Sequence, residues 1–315
     1  MKLKQNILTL LCVGVLTSCS AVYEDLDPCP TGADVRLTYN NNMQGSDLFD
    51  QAVHCAKLLL YDQDGNFIGE YDYNGGNTMG LDLPVGSYHA IAYGGMTCED
   101  AAYSFTNALE TGHHYSTIAT YLNGTRAEVS DQLHHHFHGM ADFTITEEDL
   151  THIATSIDLT KNTNAIHLVL KYADNSPIRA NYFTYTITAD NALLDHANNI
   201  VKQNDAVVYH PYGFDTTRAE ENIVKANFAV GRLQSDIDTH LTVKTRYGDT
   251  VLDLDLMKYL AQVKELELKD ASLDEYLDRQ DEWTLEFTLQ PEDDKIAGLT
   301  FKINDWEIII NNFNL

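Results

Sequence analysis

Basic residues are scarce in this chain: 20 lysines and arginines stand against 47 aspartates and glutamates, a formal charge of -27 over 315 residues. A surface this acidic repels nucleic acid and anionic membrane alike, so neither is expected as a partner. The acids are scattered rather than blocked, the pattern of solvated outer strand faces. No apolar run reaches the roughly twenty residues a bilayer-spanning helix needs. The motifs that announce chemistry are missing too: no nucleophile elbow, no HExxH helix, no phosphate-binding loop. An enzyme is not expected, and no cofactor is called for. Cysteine is sparse, and no two of the five are spaced CxxC, which speaks against a structural zinc site. Only two tryptophans occur, Trp283 and Trp306, both in strand-like alternation that reads as core rather than as a platform for sugars.

What is present begins at the N-terminus. Lys2 and Lys4 precede an apolar run from Ile7 to Leu16. About ten apolar residues suit the core of an export signal and are too few for a span. The run closes on Leu16-Thr17-Ser18-Cys19, which resembles the lipobox of bacterial lipoproteins: an apolar residue, two small ones, then the modified cysteine. Residues 1–18 are read as a signal peptide and Cys19 as the lipidation site, the chain's attachment to a membrane. A multiply acylated cysteine anchors stably where one acyl chain is marginal. Residues 19–31, with Pro28 and Pro30, form a short tether whose extended reach is roughly 40 Å. In an oxidising compartment one disulfide is expected among Cys29, Cys55 and Cys98, with the pairing open.

Beyond the tether the chain is longer than one core usually serves, so two domains are expected. Val35, Leu37 and Tyr39 alternate with polar residues. VHCAKLLLYD and FIGEYDY flank Gln63-Asp64-Gly65-Asn66, a strong hairpin signal. A second set of alternating segments starts at SIDLTKNTNAIHLVLKYAD. The pattern predicts an all-β fold of two sandwiches, residues 32–155 and 156–315. Two helical patches interrupt it: ITEEDLTHIA, a turn or two with Thr146 as N-cap, and LMKYLAQVKEL, apolar at 256, 257, 260, 263 and 266.

Two constellations invite a metal and are read otherwise. LHHHFHG places His134, His136 and His138 on one strand face, but three such side chains spread over about 13 Å and cannot share an ion. His113 and His114 would have to lie alongside to help. The expected role is a polar-aromatic strand end. Asp62, Asp64, Asn66 and Glu70 have the wrong order for a calcium loop, and a hairpin turn is expected there. No metal is predicted.

Six segments in order, LLLYDQDGNFIGEY, LPVGSYHAIAYGG, LHHHFHGM, IDLTKNTNAIHLVLKY, EYLDRQDEW and LTFKINDWEIIINNFNL, resemble the FimB-type fimbrial anchor family of bacteroidete outer-membrane lipoproteins. The resemblance spans nearly the whole chain after the lipobox. The run of histidines departs from it. The family implies two transthyretin-like β-sandwich domains at the outer face of the cell outer membrane, rooting a polymer of fimbrial stalk subunits and limiting its length. Such polymers grow by β-strand addition. In polymerising relatives a protease cuts after a basic residue just past the first strand and opens the groove. Here no lysine or arginine lies between Arg36 and Lys57, so the first strand is expected to stay and the subunit to be terminal.

The C-terminus is the expected donor. Leu299, Phe301 and Ile303 hold one alternation phase, and Trp306, Ile308 and Ile310 the other, so a bulge or bend is expected at Asn304-Asp305. Trp306, Ile308, Ile310 and Phe313 are the candidate partner-docking residues. A surface glycan-binding lipoprotein, kept open by 18 tyrosines, and a fimbrial tip adhesin are the alternatives. Asp215-Thr216-Thr217 and Asp249-Thr250-Val251 resemble O-glycosylation acceptors of bacteroidete secreted proteins, and their occupancy is left open.

Overall fold

The computed structural model describes residues 31–315 apart from 74, 124–127, 216–221, 291–295, 304–305 and 311–315, with strands 296–303 and 306–310 described by their backbone. The first half gives β1 (Gly32–Thr38), the single-turn helix α1 (Phe49–Ala52), β2 (Ala56–Tyr61), β3 (Phe67–Tyr73), β4 (Thr78–Asp82) and β5 (Gly86–Gly94). Short strands β6 (Tyr103–Phe105), β7 (Ala119–Leu122) and β8 (Glu128–Val129) come before β9 (Phe137–Ile145), β10 (His152–Asp158) and β11 (Thr160–Lys161). The second half opens with β12 (Asn164–Tyr172), β13 (Phe183–Ala189), β14 (Leu193–Asp195) and β15 (Val207–Tyr209). Then come β16 (Gly213–Asp215), β17 (Ile223–Val230), β18 (Thr239–Thr245) and β19 (Thr250–Asp255). Helices α2 (Leu256–Glu267) and α3 (Leu273–Arg279) precede β20 (Glu282–Leu289), β21 (Ile296–Ile303) and β22 (Trp306–Ile310).

The fold is all-β, built as two sandwiches. In the first, sheet β10-β1-β4 covers sheet β11-β9-β5-β2-β3. Ala33, Val35 and Leu37 of β1 meet Leu58, Leu60, Ala90 and Ala92 in that core. In the second, sheet β16-β17-β12-β20-β21-β22 covers sheet β19-β18-β13-β15-β8. Ile166, Leu168 and Leu170 alternate inward there with Trp283, Leu285 and Phe287, opposite Tyr185, Ile187, Leu241 and Val243. Strand β2 breaks the alternation because both its faces are covered: Leu59 and Tyr61 belong to a satellite cluster with Phe67, Ile91, Tyr93 and Ile118.

Several expectations need correction. The 155/156 division falls inside β10, which pairs in parallel with β1 as far as Asp158. The segment between β5 and β9 leaves the first sandwich and joins the second. Tyr103, Leu122 and Val129 lie in the second core, β7 pairs with β14, and β8 adds to β15. ITEEDLTHIA is no helix. The Thr146 backbone N–H and hydroxyl both donate to Asp149 Oδ2, at 2.7 and 2.8 Å, closing a turn, and His152 onward is drawn into β10. Helix α2 forms where expected, capped by Asp255, whose side chain accepts from the Lys258 N–H at 3.2 Å. Leu256, Met257, Leu260 and Val263 are buried, while Leu266 is exposed. The unforeseen α3 is capped by Ser272, which accepts from the Glu275 N–H at 3.0 Å, and the Ser-x-x-Glu signal was legible there. At the C-terminus β21 and β22 pair antiparallel, Leu299 with Ile310 and Ile303 with Trp306. The expected bend at Asn304-Asp305 lies outside the described residues, and among the described strands β22 is the edge of its sheet.

Register also sets the polarity of the molecule. Strand β1 starts at Gly32 beside Asp82 and His152 and runs toward Thr38, next to Asp158 and the passage into the second sandwich. Strand β1 therefore begins at the end of the first sandwich away from its partner. In the second sandwich Asn164 and Val230 lie at the junction, and Tyr172, Leu289 and Phe183 at the far end. Strand β22 runs from Trp306, beside Ile303, toward that far end, with Ile310 level with Leu299 and Phe287. The start of β1 and the direction in which β22 runs thus point to opposite poles.

Candidate functional site

At the tether pole the first strand is locked in place. Strand β1 is hydrogen-bonded on both sides, parallel to β10 and antiparallel to β4, and Ala33, Val35 and Leu37 have no exposed surface. His152 spans it from above: Nδ1 bonds Asp34 and Nε2 bonds Asp82, both at 2.9 Å, so one ring ties all three strands. The hydrogen bonds to Asp34 and Asp82 raise the histidine pKa above its ordinary value. Arg36 lies inside β1, with its guanidinium 3.0 Å from Asp47. Asp47 in turn accepts from the Tyr39 and Phe49 N–H groups and fixes the exit from the strand.

The junction absorbs the histidine run. His136 and His138 share a face, both against the Tyr93 ring, and His134 stands apart from them. His134 is exposed near Asp100, at 3.6 Å. His136 is buried and stacked on Tyr103, ring centroids 4.4 Å apart, with Nδ1 accepting from Asn162 at 3.1 Å. His138 is buried and donates from Nε2 to the His196 carbonyl at 2.9 Å. Burial holds both histidines neutral, with pKa lowered to about 3 for His136 and about 4 for His138. Asn162 and Asn198 exchange amide hydrogen bonds at 2.7 and 3.0 Å. Arg232 donates to Asn162 at 3.1 Å and pairs with Asp278 of α3 at 2.7 Å. Gly231 is required here, because a Cβ would stand 2.6 Å from the Tyr103 hydroxyl. These groups link first-sandwich, excursion and second-sandwich residues in one buried network, in which His136 Nε2 and Arg232 Nε have no hydrogen-bond partner among the described residues.

The remaining predicted residues fall as follows. Cys19, Cys29 and Phe313 lie outside the described residues, and Trp306, Ile308 and Ile310 are placed on β22 by its backbone. Cys55 and Cys98 form a disulfide, which decides the open pairing for those two. Asp62 closes the β2–β3 turn by accepting from the Asp64 and Asn66 N–H groups at 3.0 and 2.8 Å, while Glu70 pairs with Lys57. His114 meets that turn, and His113 faces Glu110. Among the described residues no group of three or more His, Cys, Asp or Glu side chains is placed to hold a metal, and no helix is long and apolar enough to cross a membrane. Trp283 is buried and donates to the Tyr276 hydroxyl at 3.3 Å.

With this geometry in view, the sequence model of the fimbrillin-A associated anchor proteins Mfa1 and Mfa2 matches residues 26–312. The chain belongs to this family. No curated protein matches it. Among solved structures, a candidate adhesin from Bacteroides thetaiotaomicron is 29% identical with a TM-score of 0.81, over 91% of this chain and 100% of that one. A candidate polysaccharide-binding protein from the same organism is 22% identical, TM-score 0.78, over 90% and 100%. The fimbrial anchor protein Mfa2 of Porphyromonas gingivalis is 14% identical, TM-score 0.69, over 89% and 99%, a likeness of fold. As a member of the fimbrillin-A associated anchor family, the protein is fimbria-associated and works with a fimbrial stalk subunit.

Proposed function

We propose that this protein roots and terminates a fimbria. A lipid on Cys19 holds it in the outer membrane, and its last strand, Trp306 to Leu315, enters the groove of the lowest stalk subunit. The observation that carries the reading is the seat of β1, hydrogen-bonded on both sides with Ala33, Val35 and Leu37 fully buried. A sandwich whose first strand stays in place has no vacancy for an incoming strand, so growth by strand addition stops at it. No lysine or arginine between Arg36 and Lys57 offers a cut. The start of β1 at one pole and the run of β22 toward the other fit membrane below and polymer above. Edge strand β22 has one side of its backbone open for pairing, and alternate apolar side chains entering a partner core contribute about 1.5–3 kcal/mol each.

Mass spectrometry of the surface form should find the arm from Cys19 intact. Cys19→Ala should release the protein from the membrane, and truncation after Asp305 should leave a lipidated protein that sheds fimbriae into the medium. A surface form beginning at Leu37 or later would refute the terminal role and make this a stalk subunit. A tip adhesin is the second reading, favoured by the 29%-identical candidate adhesin. Gold-labelled antibody at the free fibre end, instead of at the membrane root, would select it.

A further inference from the structure

In a chain this acidic, cations find carboxylates. Among the residues with described side chains, every lysine and arginine has a carboxylate within 4.0 Å except Arg179, Lys244, Arg246 and Lys269. Three of the four come from distant parts of the sequence to one place. The Tyr182 N–H donates to the Arg179 carbonyl at 3.1 Å, and the Arg246 N–H donates to the Tyr182 carbonyl at 2.8 Å. Lys244 stands opposite Thr184 in the β13–β18 register. The Arg246 guanidinium lies over the Tyr182 ring at 5.3 Å and the Tyr247 ring at 4.8 Å, and Nη2 donates to the Tyr247 hydroxyl at 2.6 Å. Tyr247 itself is 70% exposed. Asp249, on the same hairpin, turns its carboxylate to the Thr245 hydroxyl at 3.4 Å.

A single cation at a hairpin tip would be ordinary solvated surface. Here two rings fix the guanidinium in advance, so its remaining N–H donors meet a carboxylate with little ordering left to do. Exposed tyrosine beside arginine is the composition of interface hot spots. Position adds the decisive argument. The Phe183–Thr245 pair lies at the far pole of the second sandwich, the pole toward which β22 runs as it reaches Ile310. A subunit engaged by the C-terminal strand in the direction β22 runs meets this end.

We infer that Arg179, Lys244, Arg246 and the Tyr182 and Tyr247 rings form a docking surface for a carboxylate-bearing face of the stalk subunit. The inference rests on the reading of the chain as the root of a polymer. The surface gives local attraction on a molecule whose overall field repels acidic partners, so attachment there is salt-sensitive.

The test uses full-length protein in fimbriated cells: wild type, Lys244→Glu/Arg246→Glu, Arg246→Lys, Tyr247→Ala, and truncation after Asp305. The double charge reversal should remain membrane-bound and folded yet shed fimbriae about tenfold more. Tyr247→Ala should do so in part, and Arg246→Lys, which keeps charge but loses the fork, should lie between. Raising salt from about 0.15 M to about 1 M should shed wild-type fimbriae too. If truncation sheds fimbriae and the charge reversal does not, the surface is not a dock, though the anchor stands. If neither sheds them, the anchoring reading itself falls. Binding of wild type to polygalacturonate beads, lost on charge reversal while fimbriae stay attached, would overturn the proposal in favour of an anionic polysaccharide.

Discussion

Buried histidines give the junction a definite response to acid. His136 and His138 are neutral in the fold, with pKa near 3 and near 4, against about 6.5 in an unfolded chain. Below pH 6.5 the unfolded chain takes up protons that the folded one refuses, so stability is complete above that pH and falls as pH drops. Each histidine removes up to about 1.4 kcal/mol per pH unit, so passage from pH 7 to pH 5 costs the pair on the order of 4 kcal/mol. His152 has the opposite sign: its pKa is raised by Asp34 and Asp82, so its contribution is held below pH 6.5 and lost as pH climbs. It is the more open to solvent, and the buried pair wins. Denaturant titrations at pH 7 and pH 5 should show this loss. His138→Gln, which keeps a donor for the His196 carbonyl but does not titrate, should roughly halve it; an unchanged pH dependence would mean the second site carries none.

At the scale of elements, what the sequence made legible was local and what it hid was long-range. The Asp62 turn, β12 with its alternating Ile166, Leu168 and Leu170, and α2 were all readable from spacing, because neighbours along the chain decide them. The excursion from Gly95 to His136 was not. Its strands β6, β7 and β8 run two to four residues, too short for alternation to register, and β7 and β8 find partners in the other sandwich. A recurrence went unread as well: Asp195 accepts from the Ala197 and Asn199 N–H groups as Asp62 does from Asp64 and Asn66, with Asn198 at φ 67° where the first turn has Gly65 at 81°. The candidate site was half legible, since the missing basic residues after β1 could be read off directly. That His136 and His138 serve the junction could not, because a histidine's burial is set by what packs on it. The excursion is stapled at its start by the Cys55–Cys98 bond, with 43 residues of separation. Closing a loop of that size in the unfolded chain contributes about 4 kcal/mol on the chain-entropy account. Cys55→Ala/Cys98→Ala should lower the unfolding free energy by roughly 3–4 kcal/mol without changing membrane attachment. A change under 1 kcal/mol or so would mean that packing alone holds the excursion.

At the scale of the whole molecule, the two sandwiches are held together by more than the strand that links them. Alternation along the sequence predicted separable units, and limited proteolysis near residue 155 would then release one. The strand map argues otherwise. A cut at 155 falls within β10, and even a cut at the junction would leave Tyr103, Leu122 and Val129 of the excursion embedded in the second core. Withdrawing three such side chains costs about 1.5–3 kcal/mol each. That sum is comparable with the low end of a domain's entire stability, about 5 kcal/mol. The hydrogen bonds from Asn162 to Asn198 and from Arg232 to Asn162 and Asp278 add to it. Coupling of that size merges two unfolding transitions into one, because neither sandwich can unfold without exposing part of the other. Hydrogen exchange followed by mass spectrometry across a denaturant series should therefore give the same midpoint for peptides from β2 and β5 as for peptides from β12 and β20. Trp283 fluorescence, which reports the second core, should change at that midpoint as well. Two separated midpoints would show that the junction is a contact between independent domains. In that case a fragment ending near residue 163 should fold alone, with its excursion solvated. If the midpoints coincide, the same fragment should aggregate through Tyr103, Leu122 and Val129, which leaves the bridging excursion as the part that makes one lever of two sandwiches.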